Sequence, residues 1–227
     1  MKKIITLSAF LLLGFSTAIA QDRQVKTGSY DKIQVSGSYT VNLVAGAEGN
    51  ITITGEDPER PIEVETDGNT LKIHSKKSTG KDYNRKSIVI TVPVESVNEI
   101  TLSGSGNINC QETLKSASFL AMISGSGRIS LNIEAQSIAA SVSGSGRIEL
   151  NGKSQNLDAA VSGSGSINAF ELVTAETTAM VSGSGSSKIN TTEKIRASVS
   201  GSGNIYYKGN PKKDDIKVSG SGKVIKS

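Results

Sequence analysis

The tetrapeptide Ser-Gly-Ser-Gly occurs seven times in this chain of 227 residues, beginning at Ser103, Ser124, Ser143, Ser162, Ser182, Ser200 and Ser219. The successive steps are 21, 19, 19, 20, 18 and 19 residues. A near-constant period of this size is the signature of a solenoid, in which each repeat is one coil stacked on the last. It constrains shape far more than function.

The residues around each tetrapeptide identify the element. With its first Ser at position zero, position −1 holds Leu102, Ile123, Val142, Val161, Val181, Val199 and Val218. Position −3 holds Ile100, Ala121, Ala140, Ala159, Ala179, Ala197 and Ile216, and position +5 holds Ile108, Ile129, Ile148, Ile167, Ser187, Ile205 and Val224. These positions share one parity, so they line one face of an extended strand. Period two with β-branched anchors predicts strands and excludes helices. On the same parity, the glycines at +1 and +3 are expected to face inward and the serines at 0 and +2 outward. That would give two hydroxyl ladders, ~4.8 Å apart from coil to coil and ~6.8 Å along each strand. Polar segments such as Asn151-Gly152-Lys153-Ser154 and Lys208-Gly209-Asn210-Pro211-Lys212-Lys213 read as turns that absorb the variation in step.

The fold class expected is therefore all-β: a parallel β-helix or β-solenoid, right-handed, of about 19–20 residues per coil. No strict hexapeptide rule of a left-handed coil is visible. Residues 21–99 are β-rich but less regular, with alternating runs at Ile51–Thr54, Ile62–Thr66, Leu71–His74 and Ile88–Val92 and a hairpin signal at Asp67-Gly68-Asn69. They are expected to cap the first coil, within one domain spanning 21–227, while 100–227 carries the seven regular coils. The polar stretch Lys76–Lys86 reads as an exposed loop.

Residues 1–20 are read as a signal peptide. Lys2 and Lys3 precede an apolar run from Ile4 to Phe15, and Ala18-Ile19-Ala20 offers a cleavage site before Gln21. The run is too short for a bilayer span, so the mature chain is expected to be exported to the periplasm, cell surface or medium and not to span the membrane. Losing the two lysines takes the formal charge from +4 to +2. That mild excess, without clustered Lys and Arg, speaks against a nucleic-acid partner.

No catalytic or cofactor constellation accompanies the repeat. The one cysteine, Cys110, falls in an apolar column with Leu131, Leu150, Ala169, Ile189 and Tyr207, where it acts as a small hydrophobe. One Cys and one His, His74, cannot supply a zinc site. The calcium-binding Gly-Gly-x-Gly-x-Asp repeat is absent. Arg128 and Arg147 follow glycines, but the next elements read as strands, not the helix a phosphate loop needs. Glu134, Glu149, Asp158, Glu171 and Glu193 fall at different repeat positions, as solvated surface charge does and a hydrolase's carboxylate pair does not.

The run Tyr30-Asp31-Lys32-Ile33-Gln34-Val35-Ser36-Gly37-Ser38, then Val92-Pro93-Val94, then Ile100-Thr101-Leu102 leading into the Ser-Gly-Ser-Gly coils, resembles the head GIN domain family. That family is described as heads of autotransporter adhesins, and many members are small exported bacterial proteins. The resemblance covers nearly the whole mature chain and implies no catalytic residues. It does not extend to a translocator barrel.

The expectation is thus a non-enzymatic exported scaffold that binds a glycan or an envelope protein. Alternatives are a structural or assembly protein of the envelope, self-associating through its C-terminal coil from Ser219 to Ser227, and an ice binder using the serine ladders. Identical rows of serine discriminate poorly between partners. The contact anchors expected are therefore aromatics beside cations: Tyr83 and Arg85 in one loop, and Tyr206, Tyr207 and Lys208 near the end.

Overall fold

The structure is a computed structural model that describes residues 22–55, 62–75 and 88–227. The proposed cleavage site and the anchors Tyr83 and Arg85 lie outside the described residues. No helix occurs among those described. The strands in chain order are β1 (Arg23–Lys26), β2 (Lys32–Gly37), β3 (Thr40–Ala45), β4 (Asn50–Thr54), β5 (Ile62–Asp67), β6 (Thr70–Ser75), β7 (Val89–Val94) and β8 (Glu99–Gly104). Then come the long strands β9 (Asn107–Gly125), β10 (Arg128–Gly144), β11 (Arg147–Gly163), β12 (Ser166–Gly183) and β13 (Ser186–Gly201). The chain closes with β14 (Asn204–Lys208), β15 (Lys213–Gly220) and β16 (Lys223–Lys226).

The result is a parallel β-solenoid with two principal walls. The first wall stacks β2, β8 and the C-terminal parts of β9 to β13, and ends on β15. The second stacks β7, β3 and the N-terminal parts of β9 to β13, and ends on β14 and β16. At the N-terminal end both walls finish antiparallel: β5 folds back on β6, and β1 and β4 run against their neighbours. The β5–β6 hairpin turns at Gly68, as Asp67-Gly68-Asn69 predicts.

The side-chain columns follow the expected parity. Val35, Leu102, Ile123, Val142, Val161, Val181, Val199 and Val218 stack in register. All but Val218 are buried. On the second wall Val41, Ile108, Ile129, Ile148, Ile167, Ser187, Ile205 and Val224 form the matching column. Each fully buried Val or Ile contributes about 1.5–3 kcal/mol. The core is thin and continuous, so the coils hold one another and no coil stands alone. Cys110 sits inside it, 5% exposed, aligned with Leu43 and Leu131. Burial, reinforced by the nearby Glu112 carboxylate, pushes its thiol up to about 11.

Two readings of the repeat are corrected. The tetrapeptide is a corner, as stacked glycines allow, and of its two glycines only the one at +3 faces inward. Each strand of the first wall ends at the +1 glycine, whose φ lies between 108° and 125° from Gly104 to Gly220, and the next strand begins after the +3 glycine. The +3 glycine is buried as expected from Gly106 to Gly203 and half-buried at Gly222 in the last coil, whereas the +1 glycine is half-exposed or exposed and serves the turn. Because the chain bends between the two serines, the two hydroxyl ladders do not share one flat strand face. The parity argument failed here because it assumes a straight strand. The second correction concerns Asn151-Gly152-Lys153-Ser154, which lies within the continuous strand β11. Gly152 bends that strand with φ 117° without ending it.

The final coil is covered on one side only. β15 pairs with β13, and every residue of β15 is exposed. Ile216 and Val218 remain 41% and 46% exposed at the ends of their columns. Asp214 stands on Ile195, so a carboxylate occupies the inward column there.

Candidate functional site

Among the described residues, a varied cluster forms on the second wall through a change in coil length. Ser162 to Ser182 spans 20 residues, but Ser182 to Ser200 spans 18. The excess in β12 is taken up where register shifts, between Ala169 and Val173 opposite β13, and Phe170-Glu171-Leu172 bulges from the ladder. Leu172 turns into the core, and Phe170 stays half-exposed outside it. The bulge is held by its neighbours. The Phe170 N–H donates to Asn168 Oδ1 at 3.5 Å, and Asn190 Nδ2 donates to the Phe170 carbonyl at 3.2 Å.

Lysines from the next two coils converge on the ring. Lys188 Nζ lies 5.7 Å from its centroid and Lys208 Nζ lies 5.4 Å away. Both are within reach of a cation–π attraction. Lys208 also pairs with Glu171 at 3.1 Å, through a carboxylate that is 74% exposed. Among the described residues no carboxylate pairs with Lys188. Tyr206 follows Lys188 in register on the outer face.

Of the sequence-predicted anchors, Tyr206, Tyr207 and Lys208 all fall on β14. Lys208 enters the cluster directly and Tyr206 borders it. Tyr207 faces the other way: it aligns with Ile189 and packs against the core. Phe170 and Lys188 were not foreseen, because they lie 36 and 18 residues before Tyr206 and only stacking unites them. The uneven step around Ser182 was the available signal.

Two concavities lie on the first wall. One, of about 860 Å³, is lined by Gln34, Ser36, Glu63, Lys72, His74 and Ser103, and His74 Nε2 lies 3.1 Å from Glu63. Its rim includes Ser75, the last described residue before position 88. The other, of about 330 Å³, is lined by Asn156, Asp158, Glu176, Thr178, Lys194 and Arg196, with Lys194 paired to Glu176 at 3.4 Å. The carboxylates singled out in the sequence stand apart. Glu134 pairs with Lys153 at 3.2 Å and Glu171 with Lys208, on different coils. Among the described residues no three His, Cys, Asp or Glu side chains gather to hold a metal.

The architecture is shared with solved structures. A "putative adhesin" from Bacteroides fragilis is 25% identical, with a TM-score of 0.83 over 91% of this chain and 96% of that one. A "putative lipid binding protein" from Parabacteroides distasonis is also 25% identical, with a TM-score of 0.73 over the same shares. A "putative adhesin" from the same species, 22% identical with a TM-score of 0.71 over the same shares, shares the fold. Among curated proteins none matches. The family described as "Putative auto-transporter adhesin, head GIN domain" matches residues 29–211, and the chain belongs to it.

Proposed function

We propose that this protein is an exported, non-enzymatic, adhesin-like scaffold that holds a glycan or protein ligand on its second wall. Its mature chain begins at Gln21. The observation that supports this most is the Phe170 bulge. On a body built from repeated Val, Ile, Ala, Gly and Ser, it gathers an aromatic ring, two lysines and a tyrosine at one exposed place. Varied, convergent groups around an aromatic anchor are what selective binding surfaces use. The serine ladders repeat one small polar group and do not.

The test is a glycan array run alongside a pull-down from envelope extracts with the mature chain. Phe170→Ala should lose the captured ligand while keeping the wild-type circular dichroism spectrum. A folded protein with Ser143, Ser145, Ser162 and Ser164 replaced by Ala should retain it. Loss in the serine variant and retention in Phe170→Ala would overturn the assignment. The half-covered final coil supports a second reading, assembly with an envelope protein or another copy. A pull-down lost on altering β15, with no array signal, would favour it.

A further inference from the structure

Resting on that reading, we propose that the Phe170 site takes an acidic saccharide, a polymer of sugar carboxylates lying along the solenoid axis. Three features of the second wall carry this.

The first is charge. The outward rows from β11 onward hold Arg147, Lys153, Lys188, Lys208 and Lys223 against Glu149 and Glu171, five cations to two carboxylates. The second is an internal stand-in. Glu171 occupies Lys208 with a mostly exposed carboxylate. Such a pair is worth little in water and is readily exchanged. A ligand carboxylate can take its place on Lys208, with Lys188 on the adjacent coil beside it. The third is spacing. Lys188 and Lys208 sit on successive coils, one step of ~4.8 Å apart along the axis and offset by two residues along the strand, since Tyr206 is the residue in register with Lys188. That interval is close to the length of one pyranose unit in an extended chain, so an axial polymer meets one coil per sugar. The Phe170 ring offers an apolar surface to the sugar C–H groups and Tyr206 a phenol to its hydroxyls.

The competition by Glu171 gives the inference a distinctive test. Hexagalacturonate and neutral maltohexaose are titrated into the mature chain by isothermal calorimetry at two salt concentrations. Hexagalacturonate should bind, more weakly at high salt, and maltohexaose should not. Phe170→Ala and Lys188→Gln should each weaken binding by about tenfold. Glu171→Gln should tighten it, by up to about fivefold, because the resident competitor is removed. Circular dichroism confirms that each variant is folded. Absence of hexagalacturonate binding at concentrations on the order of millimolar, or a weaker Glu171→Gln variant, would overturn the inference. Equal binding of maltohexaose, abolished by Phe170→Ala, would refute the acidic preference and leave the proposed site standing. Capture of another ligand in the array or pull-down, unaffected by Phe170→Ala, would remove the site as well.

Discussion

Replacing Gly163 by Ala should destabilise the protein by about 2–5 kcal/mol, although it adds one methyl at a position that is already exposed. Gly163 has φ 108°, a conformation that L residues adopt only under strain of roughly 1–3 kcal/mol. The added Cβ would lie 2.7 Å from the Gly144 carbonyl oxygen and 3.4 Å from its carbon. Those atoms are backbone, fixed because Ser164 N–H donates to the same oxygen at 3.0 Å. Neither coil can retreat without lengthening that bond, so an overpacking cost of about 1–3 kcal/mol adds to the strain. The reduced freedom of the unfolded chain returns only about 0.4–1 kcal/mol. Urea unfolding followed by circular dichroism measures the difference, with Ser162→Ala as the matched control expected within about 0.5 kcal/mol. Gly163→Val should be worse still. If Gly163→Ala unfolds with the wild-type midpoint, or Ser162→Ala is the more damaging change, the corner assignment is wrong.

Three further outcomes are expected. Ser187 is fully buried between Ile167 and Ile205 with no partner for its hydroxyl among the described residues, so Ser187→Ala should stabilise the fold by about 1 kcal/mol in urea; Val161→Asp, which drives a carboxylate into the neighbouring wall's core, should give insoluble or unfolded protein. Stability should fall as pH rises from 9 toward 11, because folded Cys110 keeps its proton up to about 11 while the unfolded thiol loses it near its ordinary value of 9.0; the loss is at most about 2–3 kcal/mol, and a Cys110→Ala variant whose alkaline loss equals that of wild type would refute it. Asp214→Val should produce concentration-dependent association in analytical ultracentrifugation, because an inward charge on an exposed edge strand opposes stacking of another chain, and an unchanged sedimentation profile would show that the carboxylate plays no such part.

The columns of the core were legible in the sequence because β-strand parity is a local property. Val161, Ile148 and Cys110 could be placed inward from their neighbours alone, and the structure agrees. The course of the backbone was not legible in the same way. Nothing in the alternation of side chains tells that the glycine at Gly163 carries a positive φ, or that β11 continues through Gly152. The candidate site was half visible. Tyr206 and Lys208 stood out as an aromatic beside a cation. Phe170 and Lys188 could be joined to them only once β12, β13 and β14 were in register, which depends on how the extra residues at Phe170-Glu171-Leu172 are absorbed.

That absorption is a form of error correction. Between Ala169 and Glu176 the ladder from β12 to β13 slips twice, yet Thr177 and Ile195 are opposed again, and Gly183 meets Gly201 as Gly163 meets Gly183. Each corner resets the phase, so a length change in one coil is not inherited by the next. The proposed binding surface is therefore portable. Transferring the segment from Asn168 to Thr174 into the equivalent stretch of β11, with lysines set on the two coils that follow, should rebuild the cluster one coil nearer the N-terminus without disturbing the valine column beneath it.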